Sequence, residues 1–387
     1  MTTAVDRSSF FIALVVVDVL VGLSEAISGP YIVLFLVDQA RLGPISLSAI
    51  LTARALSGIA FATAFGAWID KRTTLAPLLI ALAGSALGYA LLGFTTNFAF
   101  LLVIGALPIA VGAAAFSQSI ALVRRQFDGA SLHTASRAVG VLRASWSLAW
   151  AIGPAIGAVI VATAGFRATF LASAASAVIA LATLAAVRAR PLPLVVHANR
   201  RKPANVGPAI AFAFAALTLF HTAMFLGAIP LPIVLTTSLG GAKSDIGVAM
   251  SLCAALEIVV MGALIWRPPQ RAERAAIAAG FAAFAAYFIA IALARSVGAV
   301  LWAQILRAIG IGLVSYLGIS FLQSLMPHRA GAAAALFSNS GQLGSVLAAL
   351  SVGGLAQAFG YASIFSVCAV LSAAGLVLTC LTPPRPE

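Results

Sequence analysis

Apolar runs long enough to cross a bilayer recur from one end of this 387-residue chain to the other, separated only by short polar stretches. A hydrocarbon core about 30 Å thick takes about 20 residues of helix, and within it every backbone amide must be bonded inside its own segment. That leaves a bundle of spanning helices as the fold class, an all-α integral membrane protein. Composition agrees, with 62% hydrophobic and only 9% charged residues, where soluble domains carry about 25% charged. The first run, 10–37, exceeds a signal-peptide core and lacks a small-x-small cleavage site, so it is the first expected span.

Breaking the chain at charged, Pro/Gly-rich or polar punctuation predicts twelve helices, over 10–37, 45–69, 75–94, 97–122, 134–163, 166–187, 208–238, 243–266, 273–294, 297–325, 331–357 and 360–381. Runs longer than a span needs predict tilt, kinks or extensions past the membrane. Orientation follows from Lys and Arg. With a cytoplasmic N-terminus, 16 of the 23 basic residues fall in inside segments, 4 in outside loops (Arg41, Arg167, Lys243, Arg295) and 3 within helices (Arg54, Arg143, Arg307). That bias predicts a multi-pass protein of the bacterial inner membrane with both termini cytoplasmic. The net charge of +13 is therefore a topology signal and not a nucleic-acid surface. Cys253, Cys368 and Cys380 lie in apolar segments at no metal or redox spacing and read as packing residues.

One polar, basic, Pro-containing stretch interrupts the chain at its middle. It predicts an N-terminal six-helix half over 1–187, a cytoplasmic linker over 188–207 that anchors topology, and a C-terminal six-helix half over 208–387. The halves repeat short strings: Gly165-Phe-Arg-Ala-Thr-Phe170 and Gly360-Tyr-Ala-Ser-Ile-Phe365 stand 195 positions apart, and Pro30-Tyr-Ile-Val-Leu34 resembles Pro230-Leu-Pro-Ile-Val-Leu235. Two related six-helix halves joined by a basic loop resemble the major facilitator fold.

Two motifs bear on conformational change. Gly153-Pro154-Ala-Ile-Gly157 in the fifth helix resembles the Gly-Pro-x-x-Gly run of antiporter branches of the major facilitator superfamily. Its glycines admit a close neighbour and Pro154 bends the helix, which is also what a plain packing kink does. After the second helix, Gly66-Ala-Trp-Ile-Asp70-Lys71-Arg72 resembles that superfamily's Gly-x-x-x-Asp followed by basic residues, expected to clamp cytoplasmic helix ends in one state. The copy after the eighth helix has Pro268-Pro269 in place of an acid.

Ionisable groups inside spans are costly and point to function. Asp18 and Glu25 share one stripe of the first helix with Gly22 and Gly29. Glu257 lies mid-way along the eighth helix, and Arg143 shares a face of the fifth with Ser147, Trp150 and Pro154. A carboxyl so placed can load and release a proton near neutral pH, so Glu257, Glu25 and Asp18 are the proton-coupling candidates. Arginine stays charged and serves as partner or donor. Gln323, Asn339 and Gln342 offer donors and acceptors suited to sugar hydroxyls, and Trp150 a ring for a pyranose face. The plainer readings are equally concrete: Asp18 pairs internally with Arg54 or stays solvated near the cytoplasmic end, His221 is a satisfied interior histidine, Arg307 snorkels or pairs locally, and Trp146 and Trp150 pack.

The stretch Leu142-Arg143-Ala-Ser-Trp-Ser-Leu-Ala-Trp-Ala-Ile-Gly-Pro154 resembles the fifth-helix signature of the bacterial sugar efflux transporter (SET) family. Ala255-Leu256-Glu257-Ile258 is similar to that family's Gly-Leu-Glu-Ile-Pro, and Phe321-Leu322-Gln323-Ser-Leu-Met-Pro327-His-Arg329, followed by Leu336-Phe337-Ser-Asn339, to its tenth-to-eleventh helix stretch. The resemblance implies proton-coupled export of glucosides or galactosides by alternating access, with Arg143, Glu257, Gln323, Arg329 and Asn339 carried over. His221 is a further substrate-binding candidate. Ala228, the His221-Thr222 pair, Asp18 and Glu25 depart from the family pattern. The implied partners are a small sugar, protons and the bilayer, with no nucleic acid, cofactor or metal, in a monomer that is not an enzyme. The competing function is multidrug or amphiphile efflux, which shares the Gly-Pro-x-x-Gly feature and would favour a cavity of Phe, Met and Leu.

Overall fold

The computed structural model describes residues 4–72, 74–127, 132–186, 207–267, 269, 273–326 and 329–383, apart from the side chains of residues 4–8, 70, 132–133, 135–136 and 330. Among the described residues there is helix and no strand: α1 (Ala4–Asp38), α2 (Pro44–Lys71), α3 (Ala76–Leu92), α4 (Phe98–Ile104), α5 (Ala110–Gly112), α6 (Ala115–Gln126), α7 (Leu132–Ala186), α8 (Pro208–Ala228), α9 (Pro230–Ile233), α10 (Lys243–Trp266), α11 (Glu273–Ala292), α12 (Val297–Leu325), α13 (Ala330–Phe359) and α14 (Ile364–Leu381). Two π-helical turns join neighbours, Gly105–Ile109 between α4 and α5 and Val234–Ser238 after α9. Each has proline at hand, Pro108 in the first and Pro230 and Pro232 just before the second, where a missing N–H loosens the ordinary ladder.

Ten of the described helical stretches are long and apolar enough to cross a membrane, including Phe98–Gln126 and Pro208–Ser238 taken through their π turns. The number differs from the expected twelve for two identifiable reasons. α7 holds 55 residues but breaks at Gly165, whose φ of 78° and ψ of −177° belong to a region only glycine enters without strain, so it contains two arms. α3 is apolar but only 17 residues long. Gly360 ends α13 with φ 80° and ψ 163°. The two copies of the repeated string thus open on glycines with the same backbone geometry.

The chain divides into two compact units, one of Met1–Leu42 with Ile50–Arg200, the other of Gly43–Ala49 with Arg201–Glu387. The expected linker over 188–207 lies, save Gly207, outside the described residues.

In the first unit α1 packs against both arms of α7. A Cβ on Gly153 would collide with Ala26, and one on Gly157 with the Ile27 carbonyl and the Tyr31 ring. These glycines let α1 run beside the first arm in the same direction. Against the second arm it runs oppositely through hydroxyls: Ser24 Oγ donates to Ser173 O at 2.8 Å, Ser28 Oγ to Thr169 O at 3.2 Å, and Ser176 Oγ to Leu20 O at 2.7 Å. Small residues and serine bonds are how helices associate where no water is displaced. Leu14, Val17, Val21, Leu82, Leu122 and Leu142 form the apolar core of one end. The second unit leans on rings instead. α8 packs on α13 and α14, and α11 on α12 and α14, around Phe220, Phe281, Phe284 and Phe288, with Phe284 and Phe288 edge-to-face at 4.7 Å.

Candidate functional site

In the second unit the polar groups collect around Glu257. α10 carries it half-buried, one turn past Cys253, whose Sγ donates to Glu257 Oε1 at 3.2 Å. Facing it from α12 is Arg307, whose charge acts on Glu257. The Arg307 guanidinium does not close onto the carboxylate: Nη1 donates to Met250 Sδ and to Gln304 Oε1, both at 3.3 Å. Gln304 is fully buried and anchored through Nε2 to Val300 O at 3.0 Å. The Tyr287 ring of α11 lies 5.9 Å from the guanidinium carbon, a cation–π placement. Arg307 is thus held by three neutral groups while the acid it faces keeps one oxygen outside that network.

The first unit has a comparable set on other helices. Glu25 of α1 is half-buried and lies in the field of Arg54 on α2, with Tyr89 of α3 fully buried within reach of both charges. No hydrogen bond or ion pair joins Glu25 to Arg54. The expected partnership of Asp18 with Arg54 is therefore corrected, since Glu25 is the acid Arg54 acts upon. The expectation that Asp18 stays solvated is corrected too: it is 0% exposed, and neither carboxyl oxygen has a hydrogen-bond partner. The register that brings Gly22 to Ala149 and Ala26 to Gly153 puts Asp18 at the level of Ser145, beside an apolar core.

The remaining candidates separate by exposure. Arg143, Asn339 and Gln342 are exposed on the faces of α7 and α13, and Gln323 and Trp150 are half-exposed. Among the described residues the charge in reach of Arg143 is that of Arg124. Trp150 packs on α1 at Gly29, one turn after Glu25. His221 sits inside the second unit between α8 and α13, its Nδ1 bonded to Leu217 O at 2.8 Å and to Ser340 Oγ at 3.2 Å, with Phe337 edge-on at 5.2 Å. That is the satisfied interior histidine of the plainer reading.

Of the expected gating groups, Gly153 and Gly157 touch α1, and Pro154 O accepts from Tyr31 OH at 3.1 Å. Gly66 meets nothing that a Cβ would disturb. Lys71 and Arg72 are exposed beside a shallow depression lined also by Ala64, Ala67 and Trp68, and Arg125 Nη1 donates to Arg72 O at 3.2 Å. The Asp70 side chain lies outside the described residues. Arg329 caps the start of α13, where its carbonyl accepts from Ala332 N and Ala333 N.

Sequence reasoning missed Tyr89, Tyr287 and Gln304, and it placed Arg54 and Arg307 only in local pairs. Buried tyrosine and glutamine in apolar helices carry no distinctive spacing. Only the coincidence of Arg307 and Gln304 one turn apart offered a hint.

Spanning helices with charged groups held at mid-span define a polytopic membrane transporter. The sequence profile of the Major Facilitator Superfamily matches residues 14–349. A Deinococcus radiodurans protein named as a sugar efflux transporter is 34% identical over 376 residues, covering 95% of this chain and 96% of the relative. Sugar efflux transporter A of Escherichia coli K12 is 28% identical over 387 residues, covering 98% and 97%. Among solved structures, a bacterial homologue of the human lysosomal transporter Spinster, inward-facing and occupied, aligns with TM-score 0.75 at 12% identity over 98% of this chain and 97% of that one. A nucleoside transporter aligns with TM-score 0.74, also at 12%, over 97% and 100%. The chain belongs to the major facilitator superfamily and, within it, to the sugar efflux transporter family.

Proposed function

We propose that this protein exports a sugar or glycoside from the cytoplasm in exchange for protons by alternating access. The chain would be two six-helix halves in the bacterial inner membrane, both termini cytoplasmic, acting as a monomer. Family membership supports sugar export, since the relatives' names specify it. The observation that carries proton coupling is the setting of Glu257, a half-buried carboxyl at mid-span facing an arginine that is tied elsewhere. A carboxyl in that position can take up a proton without first breaking an ion pair. The groups proposed to meet sugar hydroxyls are Arg143 and Trp150 in the first unit and Gln323, Asn339 and Gln342 in the second, where exposed polar groups on a spanning helix favour a watered face over lipid. His221, buried and bonded, is left to packing. Glucosides and galactosides are the proposed substrates, and Gly153, Pro154 and Gly157 the proposed pivot.

Everted vesicles energised with a proton gradient test this directly. Glucosides or galactosides should release protons from wild-type vesicles, and Glu257→Gln should abolish that release. A response confined to hydrophobic cations would replace the sugar reading with amphiphile efflux.

A further inference from the structure

In the second unit α10 and α12 pack side by side and run the same way. Met250 of α10 meets Arg307 of α12, and further along both helices Val260 fills the space that Gly312 leaves. Met250, Cys253, Glu257 and Val260 follow one another at steps of three, four and three, so they form the stripe of α10 that faces α12. Side chains on a helix lean back toward its N-terminus. Glu257 does so and reaches the level of Cys253, from whose thiol it accepts at 3.2 Å. Arg307 does so too, and it bonds Gln304 on its own helix and Met250 opposite, each at 3.3 Å. Carboxylate and guanidinium therefore stop one turn apart, about 5 Å along the helix direction. An arginine side chain can cross such a gap by changing rotamer.

Gln304 is what keeps the arginine on its side of the gap. It is 0% exposed, and its Nε2 donates to Val300 O at 3.0 Å, which fixes the amide and leaves Oε1 as the atom presented to Arg307. Leucine would fill the same space without two polar ends to satisfy, so the buried amide is explained by what it holds. The other neighbours hold less firmly: Met250 Sδ is a weak acceptor, and the Tyr287 ring of α11 stands 5.9 Å from the guanidinium carbon. Among the described residues Gln304 Oε1 is the one full-strength acceptor bonded to Arg307. Without it the arginine would turn to the carboxylate on the facing stripe, because an unpaired charge in an apolar interior is costly. Nothing else near Glu257 competes for that role. Besides Arg307, α12 carries only the exposed Tyr316 as a titratable group, α9 and the π turn after it carry none, and Cys253 lies on α10 itself.

We infer that Gln304 is a positioning residue for proton exchange: it holds the Arg307 guanidinium away from Glu257, so that the carboxylate gains and loses its proton with no ion pair to break. The inference rests on proton-coupled export through Glu257, and its test separates the two. Infrared difference spectra of purified protein in lipid nanodiscs, taken over a pH series without substrate, read the protonated carboxyl that disappears in Glu257→Gln. Freeing Arg307 to pair with Glu257 favours the charged carboxylate, so in Gln304→Leu the proton affinity of that carboxyl should fall about tenfold. Met250→Leu, a swap of similar volume that removes the weaker acceptor, should lower it less and in the same direction. In an Arg307→Met background Gln304→Leu should change nothing, since it acts through the arginine. A midpoint in Gln304→Leu equal to wild type, or the same fall with and without Arg307, overturns the positioning role and leaves coupled export standing. If Gln304→Leu does not fold, Met250→Leu decides, and an unmoved midpoint there overturns the role. Absence of any carboxyl signal sensitive to Glu257→Gln overturns coupling at Glu257 and the positioning role with it.

Discussion

Asp18 is the residue whose burial is hardest to reconcile with its charge. Its side chain is enclosed beside Leu14, Val17 and Val21, and both oxygens lack partners. A buried polar group without a hydrogen bond costs about 1–3 kcal/mol. Asp18→Leu, which keeps the fork at Cγ and is apolar like its surroundings, is therefore expected to stabilise the protein by about 1 kcal/mol, seen as a rise in the thermal midpoint in detergent. An Asp18→Leu protein that is more stable yet fails to move protons would return Asp18 to the coupling path. Arg143 makes the opposite case. It is exposed on a spanning helix and, among the described residues, has no hydrogen bond to an acid, so its donors can turn to substrate. Arg143→Gln should weaken the apparent sugar affinity about tenfold, the worth of one charge-assisted hydrogen bond, with protein yield unchanged. Equal affinity in transport assays would remove Arg143 from the binding groups. At this scale the sequence was partly legible. Glu257 and Arg143 stand out because a charge in an apolar run is rare, and no periodicity foretold that Arg54 would answer Glu25 in place of Asp18. That choice depends on how three helices turn about their axes.

Among the elements, the contact between α1 and α7 is set by two absent side chains. A methyl group on Gly157 would meet the Ile27 carbonyl and the Tyr31 ring, whereas one on Gly140 would meet open space. Both glycines lie on the first arm of α7, and only packing tells them apart. Overpacking a close helix contact costs about 1–3 kcal/mol, so Gly157→Ala should lower the thermal midpoint and slow transport while Gly140→Ala leaves both near wild type. Matching effects at the two sites would contradict the close approach. The break at Gly165 was legible as a boundary, since the expected fifth and sixth helices end and begin around it. Its backbone angles were not. Gly165→Ala and Gly360→Ala should each cost about 1–3 kcal/mol, the strain of a conformation that side chains avoid. A pair of near-neutral results in unfolding measurements would mean that the chain relaxes at these turns.

For the molecule as a whole, fold class was the most legible property, because hydrocarbon thickness and backbone bonding leave few alternatives to a chain so apolar. The helix count was less so. A spanning helix and its neighbour merge in α7, and α3 falls below the length the others share. Orientation rests on charge alone, 16 basic residues in segments expected inside against 4 in loops expected outside. That asymmetry predicts the side on which each connection can be reached. With the exposed Cys380 replaced by Ser, and Cys253 and Cys368 buried, single cysteines can be introduced at connections between helices. Thr96→Cys, between α3 and α4, and Ser296→Cys, before α12, should react with a membrane-impermeant thiol reagent applied to intact cells. Thr74→Cys, between α2 and α3, should react only after the membrane is opened or everted. If Thr74→Cys were labelled from outside and Thr96→Cys protected, the orientation would be reversed. Each conformation would then open Glu257 to the other side of the membrane, whereas the direction of net exchange, set by the proton gradient and not by the lie of the chain, would stay the same.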